Sequence, residues 1–308
     1  MRLTSEDLLG RVTFVTGPEK ACGKTTLVKR LLALARAEGE RAALLTVGFE
    51  GEPGGRTVGD SRRPTLECLP GEIFISAERY LRSSSCLPEV LEVLPGSTAF
   101  GRLAIARARR RGRVVLVGAE RNEYAAWAVE RIRREAWART VLVDGALNRI
   151  TQASAFRDAR FLFVLRLSPG ELERGLRGLR RIHRLVTLPV LPAASDERSR
   201  TADTEAARRA GLPLPLAALD GPLTARTLSE IPDSARTILV EDFTKVFLDA
   251  PALASLARAR VLAVRAGIEF GGFVVALRDL SRERFTEALD DPSIEDLVVF
   301  NPGEAAYA

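Results

Sequence analysis

The chain has 308 residues, 46% hydrophobic and 28% charged. That is enough to bury a sizeable core in one large domain or two smaller ones, and it does not fit a disordered or fibrous chain. The net charge of +6, from 46 basic and 40 acidic residues, is a mild excess that admits anionic partners without requiring them.

The opening MRLTSEDLLGRVTFVTG carries no long apolar run after its charges, which reads as no signal peptide. No stretch nears the roughly 18 uninterrupted apolar residues of a membrane helix, so the expectation is a cytoplasmic protein without a membrane partner. Cys22, Cys68 and Cys86 are an odd, scattered set, which argues against a disulfide framework. With His183 the single histidine, no zinc spacing exists either.

In chain order, RVTFVTG (11–17) is a short β-branched and apolar run ending in glycine, which reads as a buried strand. KTTLVKRLLALARAEGE (24–40) sets Leu27, Leu31, Leu34 and Ala35 at helical spacing and stops near Gly39. Between them lies GPEKACGKTT, a glycine loop leading from strand to helix, the context a phosphate-binding loop requires. Backbone N–H groups of such a loop wrap phosphates, and the helix N-terminus adds partial positive charge. Gly17 and Gly23 allow close backbone approach, Lys24 supplies a point charge, and the Thr25 hydroxyl suits Mg²⁺. Thr26 completes the binding set, and Lys20 is either a second phosphate charge or a solvated loop lysine. Cys22 reads as a space-filling residue. One feature departs from the usual pattern: the glycine expected six residues before the lysine is Pro18, and Gly17 stands one position earlier.

A second strand (41–47) runs into LLTVGFEGE, whose Glu50 and Glu52 either orient water or metal or form a solvated turn. Residues 50–112 carry turns and short strands with few helices and read as a β-rich insertion. Within it, 49–64 is rich in glycine and charge, as a loop over a nucleotide would be. Strands are expected at 113–118, 140–144, 161–167, 237–241 and 260–264, with helices at 122–138 and 171–185. TVLVDGALNR ends an apolar run at Asp144, the acid expected to share the metal with Thr25. TILVEDFTKVFLD contains Lys245 but has Phe247 where a guanine-reading aspartate would stand, which favours ATP over GTP. The arginine clusters at 107–113, 131–139 and 174–184 have few aromatic neighbours. Most of them read as solvated helix faces, with an anionic or nucleic-acid surface as the less favoured alternative. The tail from about 265 reads as a small α+β unit with a helix near 281–290.

Lysine usage supports the loop. Only Lys20, Lys24, Lys29 and Lys245 occur, so the remaining 42 of the 46 basic residues are arginine. Three of the four lysines fall within ten residues, where a compact ammonium does what a guanidinium cannot.

VTGPEKACGKTTL and VLVDGALNR resemble P-loop NTPases. More loosely, the order of P-loop, TVGFEGE, a β-rich stretch through GRLAIARARRRGRVVLVG, and VLVDGALNR resembles the P-loop subunit of the reactivase for lysine 5,6-aminomutase and ornithine aminomutase. That likeness covers about residues 11–165. It implies an ATP-using protein that restores a cobalamin-dependent client enzyme, with cobalamin belonging to the client.

The expected fold is α/β and P-loop NTPase-like, a mostly parallel sheet with helices on both faces and a β-rich insertion. Residues 1–49 would hold the P-loop and first βα units, 50–112 the insertion, 113–264 the rest of the core and 265–308 the closing unit. The expected function is an Mg-dependent ATPase acting on a partner protein, with Lys24 and Asp144 as the catalytic pair. The alternatives are a small-molecule or polynucleotide kinase, with Glu50, Glu52 or Asp60 as base, and a nucleotide-binding module without turnover.

Overall fold

The structure, a computed structural model, describes residues 4–18, 22–46, 66–119, 121–145, 159–191 and 200–300. The first half of the chain forms β1 (Val12–Thr16), α1 (Lys24–Ala37), β2 (Ala42–Thr46), β3 (Leu66–Cys68), β4 (Ile73–Ala77), α2 (Glu78–Ser83), β5 (Pro88–Thr98), β6 (Gly101–Ala108), β7 (Gly112–Val114), α3 (Asn122–Arg134), β8 (Thr140–Asp144) and β9 (Ala159–Leu167). There follow α4 (Leu172–Val186), α5 (Arg200–Arg209), β10 (Leu216–Ala218), α6 (Ala225–Glu230), β11 (Thr237–Val240), α7 (Ala250–Ala259), β12 (Val261–Val264), β13 (Glu269–Leu277), α8 (Arg282–Leu289), α9 (Pro292–Glu295) and β14 (Val298–Phe300). The protein is therefore α/β with a large, mostly parallel sheet. No described helix is long and apolar enough to cross a membrane.

The chain divides into two compact units. The first comprises Met1–Arg166 with Gly271–Ala276 and Val298–Ala308; the second comprises Leu167–Phe270 with Leu277–Leu297. In the first unit the strand order is β14-β13-β9-β1-β8-β2-β4-β6-β5. The strands from β9 to β4 pair in parallel, with β1 between β8 and β9. The strands of the glycine- and turn-rich stretch then add antiparallel pairs, β4 with β6 and β6 with β5. They extend the same sheet, which is how their apolar face joins the core.

β1 is buried at all five positions, as expected of an inner parallel strand covered on both faces. Its neighbour in sequence, α1, buries Leu27, Val28, Leu31, Leu32 and Ala35 on one stripe. Each of the four larger side chains contributes about 1.5–3 kcal/mol by leaving water. The helix stops where Gly39, at φ +74°, takes the left-handed conformation, and Glu40 N–H bonds back to the Ala35 carbonyl at 2.9 Å.

An ion pair fixes that end of α1. Arg36 donates from Nε to Glu72 Oε1 at 2.7 Å and from Nη2 to Oε2 at 2.8 Å. Glu72 also accepts from the Leu69 N–H at 2.8 Å, and its side chain is 2% exposed. The run expected as a strand over 113–118 is shorter than its composition suggests. Only β7 pairs, antiparallel to β3. Beyond it, contact with the sheet is made by the Ser76 hydroxyl to the Val115 carbonyl (2.6 Å) and the Val117 N–H to the Ile75 carbonyl (3.3 Å).

The second unit holds a parallel three-stranded sheet, β10-β11-β12, extended by a bridge from Val190 to Val264. Its strongest amphipathic element is α4, which buries Leu172, Leu176, Leu179, Ile182 and Leu185 and exposes arginines between them. Arg180 caps the end of α8 through the Leu289 carbonyl at 2.9 Å.

Candidate functional site

The site is built on the carboxyl ends of β1, β8 and β2. The strands β8 and β9, successive in sequence, flank β1 on opposite sides, while α1 leads from β1 to β2, beyond β8. Chain crossovers therefore diverge at β1. In an open parallel sheet, the carboxyl edge at such a point is where a crevice for a ligand forms.

The glycines that bound the loop have different physical reasons. A Cβ on Gly17 would lie 2.5 Å from the Val164 carbonyl oxygen on β9 and 2.6 Å from Cys22 Sγ. Gly17 is therefore fixed by space, since the neighbouring strand and the returning loop close over it. Gly23 has φ +100°, and a Cβ there would meet only Val164 Cγ1 at 3.7 Å. It is fixed by backbone conformation, which L-residues rarely adopt. Pro18 is exposed.

Gly23 is the N-cap of α1, and no side chain caps this end. The first turn also holds no acidic residue. Among the described residues no side-chain cap and no first-turn carboxylate therefore competes at this end of the helix, where backbone N–H groups lack intrahelical partners. The helix dipole adds positive potential there. Lys24 begins the helix and is partly buried, with Nζ 3.6 Å from Cys22 Sγ. Cys22 itself is buried, as a space-filling residue would be.

The next residue makes the long-range contact. The Thr25 hydroxyl donates to Asp144 Oδ2 at 3.0 Å, across 119 positions of sequence. Parallel pairing produces this meeting, because Val15 on β1 and Thr46 on β2 both stand in register with Asp144 on β8. The strand end is held twice more. The Thr46 hydroxyl donates to the Asp144 carbonyl at 3.0 Å, and the Gly145 N–H donates to the Val15 carbonyl at 3.0 Å. Sequence reasoning missed Thr46; its signal is a threonine ending an apolar strand, as Thr16 ends β1. The Thr16 hydroxyl, at the same edge, is buried and has no hydrogen-bond partner among the described residues.

The structure thus brings Gly17, Gly23, Lys24, Thr25 and Asp144 together, with Thr26 exposed on the first turn. Lys29 is exposed further along α1. Lys20, Glu50, Glu52 and Asp60 lie outside the described residues. Lys245 belongs to the second unit, where it closes a 3₁₀ turn capped by Asp242.

The chemistry of the pair is that of a hard-cation site. A hydroxyl and a carboxylate oxygen 3.0 Å apart are donors suited to Mg²⁺, which takes one or two protein ligands and fills its shell with water and phosphate oxygens. Among the described residues no group of three or more His, Cys, Asp or Glu side chains forms a closed metal cage. Comparison with family models, with curated proteins and with solved structures found no significant match to this chain.

Proposed function

We propose that the chain binds Mg-ATP at the carboxyl end of β1 and hydrolyses it to act on a partner protein. The observation that carries this reading is the Thr25–Asp144 hydrogen bond, at the mouth of an uncapped helix that opens with a left-handed glycine. The two partners come from the two segments whose composition marked them as a phosphate loop and an acidic strand end. The strand order β2-β8-β1-β9 supports it, because the acidic strand lies directly beside the loop strand.

In this reading the N–H groups at the start of α1 and the Lys24 ammonium hold the phosphates. Thr25 and Asp144 hold the cation, which supplies charge neutralisation when bound. Thr46 keeps the Asp144 backbone in place. Positioned charge supplies most of the rate in such chemistry. The likeness to an aminomutase reactivase subunit suggests the client, a cobalamin-dependent enzyme.

The test is a thermal melt with and without Mg-ATP, beside Lys24→Ala, followed by phosphate release. Ligand at about a hundred times its dissociation constant adds roughly 2.7 kcal/mol. For a unit of this size that raises the midpoint by about 5–10 °C. The expected result is a rise in wild type that Lys24→Ala abolishes. No rise with Mg-ATP sinks the reading, while a rise without phosphate release, alone or with a client enzyme, leaves a binding module. Transfer of labelled phosphate to a small acceptor or polynucleotide would make it a kinase.

A further inference from the structure

The edge of the nine-stranded sheet away from β14 is β5, and its surface is unusual. Val90 and Val93 stand opposite Ala106 and Ala104 on β6. Those alanines belong to the buried core on the α1 side of the sheet. The apolar face therefore continues one strand past the core, leaving Val90 51% and Val93 39% exposed. Just before β5, Leu87 is 55% exposed and has φ +49°. A leucine in the left-handed region pays a conformational cost, and an exposed apolar side chain returns nothing to the fold for it.

The turn that displays Leu87 is firmly held. The Arg109 N–H donates to the Cys86 carbonyl at 3.0 Å and to the Leu87 carbonyl at 3.3 Å, and the Arg110 N–H to the Cys86 carbonyl at 3.0 Å. Arg110 Nε donates to the Ser85 carbonyl and the Arg113 N–H to Ser85 Oγ, both at 2.8 Å. Gly112 lets the two segments cross, because a Cβ there would drive into the Cys86 backbone. These bonds bring arginines to the Leu87 end of the apolar strip. Arg109 shares Glu89 with Arg107, and Arg113 stands opposite Glu67, which is already paired with Arg111, so with Arg110 five arginines meet two carboxylates and the turn keeps a positive excess. A strained backbone that persists in a rigid turn marks a functional position, and the arginines beside it are a residue type enriched among interface hot spots.

We infer that Leu87, Val90 and Val93, rimmed by Arg109, Arg110 and Arg113, form the docking surface for an acidic partner protein that offers carboxylates around an apolar recess. Charge complementarity selects this occupant. A second copy of a chain carrying +6 would set arginine rim against arginine rim. A single-stranded nucleic acid would want stacking rings, and none of the six residues is aromatic. Strand addition is disfavoured too, since register shifts at Val90/Glu92 and Val93/Ser97 break the regular edge. The inference stands apart from the nucleotide reading and is measured without nucleotide.

The probe is a synthetic amphipathic helical peptide with leucine and phenylalanine on one face and glutamate on the other, followed by fluorescence anisotropy. Polyglutamate of equal charge and an oligothymidylate are the controls. Wild type should bind the amphipathic peptide more tightly than either control. Leu87→Gly should weaken that binding about tenfold while keeping or raising the melting temperature, because glycine suits φ +49°. Arg110→Glu with Arg113→Glu should weaken it at least as much. The inference is overturned if the amphipathic peptide does not bind, or if Leu87→Gly binds it as wild type does. It is also overturned if either control binds equally well, or if sedimentation shows a dimer that Leu87→Gly dissolves.

Discussion

Replacing Gly17 by alanine separates the two roles assigned to the loop glycines. The added Cβ would sit 2.5 Å from the Val164 carbonyl oxygen and 2.6 Å from Cys22 Sγ. The carbonyl belongs to β9, whose register with β1 runs from Val12↔Ala159 to Thr16↔Phe163, so it cannot retreat without disturbing that pairing. Overpacking of this kind costs about 1–3 kcal/mol, and a backbone obstacle places Gly17→Ala near the upper figure. At roughly 2–4 °C per kcal/mol for a unit of 150–250 residues, the midpoint should fall by roughly 6–12 °C. Gly23→Ala meets only a methyl group at 3.7 Å. It costs about 1–2 kcal/mol for left-handed backbone, less about 0.4–1 kcal/mol from the stiffer unfolded chain, which leaves a fall of only a few degrees. Cys22→Ala in the Gly17→Ala background removes the sulfur but not the carbonyl, so stability should return in part. Calorimetry of the four proteins decides it. The reasoning fails if Gly23→Ala is as destabilising as Gly17→Ala, or if Cys22→Ala restores the whole loss.

Arg36→Ala should destabilise the protein by about 3 kcal/mol in a denaturant titration, the lower end for breaking a buried pair because Arg36 is partly exposed. Among the described residues it leaves the Glu72 carboxylate with the Leu69 N–H as its one remaining donor, and a double replacement by Met and Gln should lose less. Hydrogen bonding from Arg160 holds the Asp7 carboxyl below its ordinary value. Its contribution is therefore complete above the unfolded carboxylate pKa of about 3.9 and disappears as pH falls through the lower folded value. Asp7→Asn should flatten the acid limb of stability and leave neutral pH dependence unchanged, as urea melts across that range would show. Lys24→Arg should fold with an unchanged midpoint yet lose the stabilisation by Mg-ATP, because the planar fork does not replace a point charge. Thr25→Val should keep the fold but remove the part of the ATP-induced rise that EDTA also removes.

Local signals were readable in sequence and long-range pairing was not. Strand β1, helix α1, strand β8 and helix α4 each carry their own periodicity and stop residue, and each forms within a few residues of the expected span. The turn-rich stretch announces strands through its composition. That β4, β6 and β5 would join the edge of the main sheet depends on partners that local pattern cannot name. The same limit hides the division into units: the chain leaves the first unit after Arg166 and returns to it for Gly271–Ala276 and again at Val298. At the site, residue type and position marked Lys24, Thr25 and Asp144. Thr46 and Val164 gain their roles only through register, and Leu87 only through its backbone angle.

The misplaced first glycine can now be read physically. In the proposed phosphate loop one glycine stands where the chain leaves the strand and another where it enters the helix, and the two positions are constrained independently. Here the first is a matter of space, set by the carbonyl of β9 and the sulfur of Cys22 around Gly17. The second is a matter of φ, set at Gly23 by the N-cap of α1. Neither constraint refers to the number of residues between them. Moving glycine from position 18 to 17 leaves the helix start, Lys24 and the Thr25–Asp144 bond where that second constraint puts them.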